Sequence, residues 1–246
     1  MAQRLDKALV ERELVRSRTL AAKLIIEGCV RVNGQTAQKV SHSVETADVL
    51  DILPSDLTRF VSRAGHKLEG ALRAFPAISV AGKRCLDAGA STGGFTQVLL
   101  EAGAANVAAV DVGHNQLAPQ LRHDSRVTVF EGMNVRHLKP EEIGGQVEIT
   151  VSDLSFISLT LVMQALAQAT ENGGDLLLMV KPQFEVGQHF IGAGGVVKDP
   201  AAHHLALEKV KTSAQEHGLV IRGQEPSPLP GQDGNREFFL WCSKKK

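Results

Sequence analysis

Two amines and two carboxylates, Lys67, Asp153, Lys181 and Glu237, have the side-chain types needed to move one proton without a metal. Brought together, such groups can hold a ligand or exchange a proton with it. Charged residues cap strands everywhere, so type alone does not define a site, and position has to decide. Asp153 and Lys181 follow short apolar runs at 147–152 and 175–180, which read as neighbouring strands, and Glu237 opens another at 237–241. Ligands of open α/β sheets bind beyond the carboxyl ends of the strands. Asp153 and Lys181 fall there, while Lys67 lies in the string SRAGHKL, residues 62–68, before the first strand.

A second group of residues has the character of a ligand cradle. The string LDAGASTGGF, residues 86–95, directly follows a predicted strand at 83–87 and opens a helix. Its glycines permit a tight turn and close backbone approach to a ligand. The spacing of Gly89, Gly93 and Gly94 is not G-x-G-x-x-G, so the usual pyrophosphate cradle is missing, and the turn suits a nucleoside with an amino-acid tail. A passive structural turn is the competing reading, and the next strand, 106–112, bears on it. That strand reaches Asp111, 22 residues after Gly89, near the separation at which such folds hold two ribose hydroxyls. Met133 and Asn134, beyond a strand at 127–131, would flank the adenine edge. The expected cofactor set is Asp87, Gly89, Ala90, Ser91, Thr92, Gly93, Gly94, Phe95, Asp111, Val112, Met133, Asn134 and Asp153.

The elements that must position these groups can be read from periodicity. Further strands are expected at 219–224, and the strand–helix alternation beyond Lys83 implies a mainly parallel, doubly covered sheet of seven strands. The first 59 residues differ. Apolar residues from Leu5 to Ile26 recur at helical spacing with a break near Val15, Arg16 and Ser17, which predicts two short helices with Ser17 capping the second. Gly28 stops that helix, residues 29–32 read as a strand entering an Asn33, Gly34 hairpin, and 49–53 as another strand. Residues 54–60 read as a linker, so the division is a small α+β domain at 1–59 and an α/β domain at 60–246, joined near 54–62.

Composition narrows the class of protein. With 246 residues and 43% hydrophobic content the chain can bury a full α/β core and a small appended one. Lys plus Arg and Asp plus Glu both number 27, so net charge gives no global attraction to nucleic acid. Residues 1–40 nevertheless carry eight basic against four acidic side chains. Arg4, Arg18, Lys23 and Lys39 there, with Arg63 and Arg136 later, are the candidate phosphate contacts. Three scattered cysteines argue against a disulfide framework or zinc site, and the histidines lack metal-ligand spacing. The N-terminus has no apolar signal core, and no run approaches a membrane span, so a cytoplasmic location is expected. The glycine-rich stretch 183–197 reads as a mobile lid.

Residues 61–246 resemble the FtsJ-type ribose 2′-O-methyltransferases, whose Lys-Asp-Lys-Glu tetrad corresponds to Lys67, Asp153, Lys181 and Glu237. The strings SRAGHKL, DAGASTGGFT, SDLSFISL, VKPQFEVG, GGVVKDP and GNREFFLW are similar to those of the TlyA family, also called hemolysin-type proteins. That family carries an N-terminal domain of the ribosomal protein S-four type, matched here by RLD at Arg4, by Ser17 and Arg18, by IEGCVRVNG at 26–34 and by Lys39. The resemblance implies a Rossmann-like class I methyltransferase that uses S-adenosylmethionine to methylate the ribose 2′-hydroxyl of cytidine in ribosomal RNA of one or both subunits. It implies ribosomal RNA or subunits as partners, no metal and no membrane. A 2′-hydroxyl is a poor nucleophile and a sulfonium methyl is already activated, so alignment and one proton transfer remain for the protein. Lys181 is the expected base, with Asp153 and Glu237 orienting the two amines.

Three other readings make different demands. A membrane-active, hemolysin-like protein needs a long amphipathic or apolar segment, and none is visible. A non-catalytic RNA-binding ribosome assembly factor would need neither the cofactor turn nor all four tetrad positions. An NAD-dependent oxidoreductase is opposed by the glycine spacing.

Overall fold

The computed structural model describes residues 2–245, and the chain forms two compact units, Met1–Phe60 and Val61–Lys246. In the first unit, strand β1 (Gln3–Arg4) runs into helix α1 (Leu5–Glu11), and α2 (Arg18–Ile26) follows. Ser17 Oγ accepts the Leu20 N–H at 3.2 Å, which satisfies one of the donors left open at the start of α2. Strands β2 (Val30–Val32), β3 (Gln35–Thr36), β4 (Ser43–Val44) and β5 (Leu50–Ile52) complete the unit with the single turn α3 (Asp56–Arg59). Strand β2 is the middle of a three-stranded antiparallel sheet, and β1 pairs with β4. The β2–β3 hairpin turns on Asn33 and Gly34 at φ 52° and 81°, the left-handed pair of a type I′ turn. The core joins Leu5, Leu9, Leu24 and Ile25 from the helices to Val30 and Val44 from the strands. Residues 54–60, read from sequence as a linker, hold α3, whose start is capped by Ser55 Oγ accepting from Leu57 N–H at 3.1 Å.

A charge arrangement sits on the outside of this core. Asp6 is 3% exposed and accepts hydrogen bonds from Arg18 Nη2 at 2.6 Å and Arg4 Nε at 2.9 Å. The two guanidiniums are thereby held side by side on one carboxylate, with their remaining N–H groups outward.

The second unit begins with α4 (Ala64–Ala74) and then alternates: β6 (Arg84–Ala88), α5 (Gly94–Glu101), β7 (Asn106–Asp111), α6 (Pro119–Arg122) and β8 (Val127–Glu131). It continues through β9 (Val147–Ser152), α7 (Met163–Ala169), β10 (Thr170–Val180), α8 (Pro182–Glu185), α9 (Pro200–Glu216), β11 (Leu219–Pro226) and β12 (Phe238–Lys244). The strands form one sheet in the order β11-β12-β10-β9-β6-β7-β8. Pairing is parallel from β10 to β8, whereas β12 runs antiparallel to both β10 and β11.

Alternation along the strands assigns the two faces. Leu86 and Ala88 of β6 and Phe238 and Leu240 of β12 join Leu166 of α7 and Ala206 and Val210 of α9 in one buried cluster. Asp87 and Phe239, one residue out of phase, face the other layer, where they meet Thr96 and Phe95 of α5. Strand β10 begins five residues before the expected 175–180. Its pairing with β9 shifts between Thr170 and Asp175, an irregularity that hides the strand's start in polar sequence.

The Arg4 hydrogen bond holds the Asp6 carboxyl down at about 2 against the opposing effect of its burial, and Arg18 adds to the depression. Folding therefore gains from the ionised form above the ordinary value of 3.8 and loses that gain as pH falls toward 2. Asp6→Asn should destabilise the N-terminal unit at neutral pH and converge with the unsubstituted protein near pH ~2. Amide signals of residues 2–60 followed through thermal unfolding at both pH values check this.

Candidate active site

Strand polarity brings the predicted catalytic residues to one edge. Val180, the last residue of β10, is paired with Phe238, the first of antiparallel β12, so the residues just beyond them, Lys181 and Glu237, emerge on the same side. Leu178 pairs with Ser152 in the parallel β9–β10 ladder, which places Asp153 at that edge as well. Helix α4 delivers Lys67. Its Nζ donates to Glu237 Oε2 at 2.5 Å and lies 3.9 Å from Met179 Sδ. Lys181 Nζ donates to Ser155 Oγ at 2.8 Å, with Asp153 Oδ1 as an ion contact at 2.7 Å.

The two ion pairs differ in exposure. The Lys67 and Glu237 side chains are 7% and 3% exposed, those of Lys181 and Asp153 9% and 17%. The first is an interior strut, and the second opens onto the cleft. All four residues line a cavity of about 520 Å³ with Arg63, Gly89, Ala90, Ser91, Thr92, Gly94, Phe95 and Asn235 among its other walls.

A second cavity, about 540 Å³, shares Gly89, Ser91, Asp153, Ser155 and Phe156 with the first and extends to Asp111, Val112, Met133 and Asn134. Leu154, Ile157 and Val162 give it apolar walls. Asp111 is held by two backbone donors, Ser91 N–H to Oδ2 at 2.8 Å and Gly113 N–H to Oδ1 at 2.7 Å. A carboxylate has lone pairs left for two hydroxyls after accepting two such bonds. Gly89, at φ 92°, has no room for a side chain, since a Cβ would stand 3.0 Å from the Asp153 carbonyl oxygen.

The remaining cofactor candidates divide by location. Asp87 and Gly93 line neither cavity. Gly93 serves the turn itself: φ is 99°, and a Cβ would fall 2.3 Å from Leu121 Cδ1. The Phe95 ring stacks at 6.1 Å on Phe239 and is 2% exposed, so its bulk belongs to the core. Asn134 Oδ1 accepts from Arg136 N–H at 3.0 Å, which caps the following turn and leaves its amide NH₂ for the cleft. Asp87 is fully buried. Its Oδ2 accepts from Thr96 Oγ1 at 2.6 Å, while Oδ1 has no partner among the described residues. Burial pushes this carboxyl up to about 7; the Thr96 bond opposes the shift and the charge of Asp153 adds to it.

Arg63 and Arg136 are exposed; Arg63 donates to the Pro230 carbonyl at 2.7 Å. In the N-terminal unit Arg4 and Arg18 share Asp6, Lys23 is exposed on α2, and Lys39 borders an open cavity of about 640 Å³ with His42 and Asp48. The glycine-rich stretch 183–197 is more structured than the sequence indicated. It contains most of α8, two 3₁₀ turns, and a clasp in which Asn235 accepts from Val197 N–H at 2.9 Å and donates to Gly195 O at 3.0 Å. His203 closes the same clasp on the Val197 carbonyl at 2.8 Å.

Sequence reasoning missed Ser155, the partner of Lys181, and Phe156. Phe156 is 91% exposed, takes φ 63°, and sits 5.4 Å from the Phe184 ring at the rim shared by both cavities. A bulky residue at positive φ is a backbone outlier that persists only where its surroundings enforce it. Periodicity offers no signal for such a residue.

The FtsJ-like methyltransferase family matches residues 60–244, and the S4 domain matches residues 3–50. The chain belongs to the FtsJ-like methyltransferase family, with an S4 domain before the catalytic fold. It is 52% identical over 238 residues to the 16S/23S rRNA (cytidine-2'-O)-methyltransferase TlyA of Mycobacterium tuberculosis, covering 97% of this chain and 88% of that one. It is 41% identical to YqxC of Bacillus subtilis, provisionally named an rRNA methyltransferase, covering 97% and 84% of the two chains. A solved structure from Streptococcus thermophilus, provisionally named a hemolysin, superimposes with a TM-score of 0.78 at 38% identity, covering 100% of this chain and 89% of that one. No helix among the described residues is long and apolar enough to cross a membrane.

A carboxyl whose folded value is raised stabilises the fold at low pH and loses that contribution as pH rises. For Asp87 the contribution is complete below 3.8 and gone above about 7. Asp87→Asn, neutral throughout, should show a shallower fall in melting temperature between pH ~4 and ~8 than the unsubstituted protein. A pair of calorimetric pH series checks it.

Proposed function

We propose that the chain transfers a methyl group from S-adenosylmethionine to the ribose 2′-hydroxyl of cytidine in ribosomal RNA. The observation that carries this reading is the pairing of two buried amines with two carboxylates in one cavity, directly beside a nucleoside-sized cleft. The names of the similar proteins supply the nucleotide and the RNA.

The cleft's residues fit the cofactor. Gly89 leaves a bare backbone where a ligand could pass close, Asp111 would offer its fixed carboxylate to two ribose hydroxyls, and Val112, Met133, Ile157 and Val162 would wall the adenine. Asn134 would meet the base edge. When bound, S-adenosylmethionine supplies a methyl group already activated on a sulfonium. The chain's task is to hold the 2′-hydroxyl in line and receive its proton. In its neutral form Lys181 takes that proton and becomes the ammonium that pairs with Asp153, its nitrogen aimed by Ser155 and Asp153. Lys67 and Glu237, paired and buried, fix the floor of the cavity, and burial strengthens the electrostatics that act there.

Arg4, Arg18, Lys23 and Lys39 of the S4 unit and Arg63 and Arg136 of the catalytic unit contact phosphates, which gives affinity without reading sequence. Phe156 offers an exposed aromatic face at the rim on which an unstacked nucleobase can lie. Ribosomal RNA in the cytoplasm is the substrate on this reading.

Lys181→Ala should lower methyl transfer to purified ribosomal subunits by about 10²–10⁴-fold while the cofactor dissociation constant stays within about threefold. Radiolabelled transfer and titration calorimetry measure the two, and near-normal turnover would remove Lys181 from the role. Phe156→Ala should raise KM for the RNA by roughly tenfold, because stacking on an aromatic ring contributes about 1–3 kcal/mol per base. An unchanged KM would show that no base rests there.

A further inference from the structure

We propose that Glu185 is a positioning residue for methyl transfer, locking the loop that carries Ser155 and Phe156 to the turn that carries Lys181. The proposal rests on the reading of Lys181 as proton acceptor. Glu185 lines neither cavity, and its side chain is 1% exposed. Its two oxygens are both committed to the loop after β9: Oε2 accepts from Ser158 Oγ at 2.5 Å, and Oε1 accepts from Leu159 N–H at 2.7 Å. Helix α8, which bears Glu185 at its end, starts directly after Lys181.

These contacts close a circuit. Lys181 Nζ reaches Ser155 Oγ, the loop runs from Ser155 to Leu159, Glu185 grips that loop, and one helical turn returns to Lys181. The backbone segments that carry Lys181 and Ser155 therefore cannot drift apart without breaking a buried carboxylate's hydrogen bonds. Lys209 of α9 braces the circuit from outside, donating to the Glu185 carbonyl at 2.7 Å with its Nζ 3.8 Å from Oε2.

A residue placed here for packing alone would be apolar. Burial disfavours an ionised carboxylate and pushes the Glu185 carboxyl upward, against the Ser158 and Leu159 bonds and the nearby Lys209 charge. The arrangement is worth that penalty where the two loops must keep register, because a displacement of about 1 Å at a reacting group can cost 10²-fold in rate.

The test combines Glu185→Ala, Glu185→Gln, Ser155→Ala and the Ser155→Ala, Glu185→Ala double variant in the full chain. Each is assayed for kcat and KM on ribosomal subunits, S-adenosylmethionine affinity and thermal unfolding. Glu185→Ala should lower kcat by about 10- to 100-fold with KM and cofactor affinity within about threefold. Glu185→Gln keeps the volume, one acceptor for Leu159 and a donor for Ser158, so it should recover most of the loss. In the Ser155→Ala background, Glu185→Ala should cost less than about threefold more, because the two act through one contact. If Glu185→Ala does not fold, the test rests on the smaller, severalfold kcat loss that Glu185→Gln retains, which the Ser155→Ala background should absorb. Turnover at the unsubstituted level, or losses that multiply with that of Ser155→Ala, overturns the proposal alone. No transfer by the unsubstituted protein overturns the functional reading and this proposal with it.

Discussion

The buried ion pair between Lys67 and Glu237, 2.5 Å apart, can form only because β12 runs against its neighbours in the sheet. Were β12 parallel to β10, its first residue would lie at the opposite end of the strands from Lys181. The reversal instead sets Glu237 at the carboxyl edge, where α4 can bring Lys67 down onto it. Removing either partner would strand a charge in the interior, which is typically far more destabilising than the intact pair is stabilising. The pair thus fixes α4, β10 and β12 relative to one another at the edge where ligands of such sheets bind.

The second pair has a different character. Lys181 and Asp153 follow directly on adjacent parallel strands, nearer the opening, and the lysine's hydrogen bond goes to Ser155 on a loop whose backbone takes an unfavoured conformation at Phe156. A rigid buried strut beneath a more exposed pair divides the work between holding shape and meeting substrate. The second cavity joins this site at Gly89, Ser91 and Asp153, so on the proposed reading a methyl donor and an RNA acceptor would approach the same atoms from two sides.

Much of this was legible in the residues. Charged groups at the ends of apolar runs pointed to Asp153, Lys181 and Glu237 as candidates, since a strand end is where a sheet exposes side chains to a ligand, whereas Lys67 lies in SRAGHKL ahead of the first strand. Ser17 and the Asn33, Gly34 pair announced a helix start and a hairpin because those residues satisfy or adopt what such places require. Other features depend on contacts distant in sequence and left no local trace. The start of β10 lies in a polar stretch paired through an irregular register, and α3 occupies what read as linker. Asp87 and Gly93 belong to the glycine turn yet serve its packing, because Thr96 and Leu121 occupy the space around them. Arg4 and Arg18 looked like independent charges, whereas burial of Asp6 between them joins the two into one unit.

The central claim, that this geometry methylates a ribose hydroxyl in ribosomal RNA, is tested most directly by the product. Ribosomal subunits lacking the modification would be incubated with the protein and methyl-labelled S-adenosylmethionine, and the RNA digested to nucleosides. The account predicts label in 2′-O-methylcytidine and protection of its 3′ linkage from alkaline cleavage. Label on a base, or none in the RNA, would contradict it.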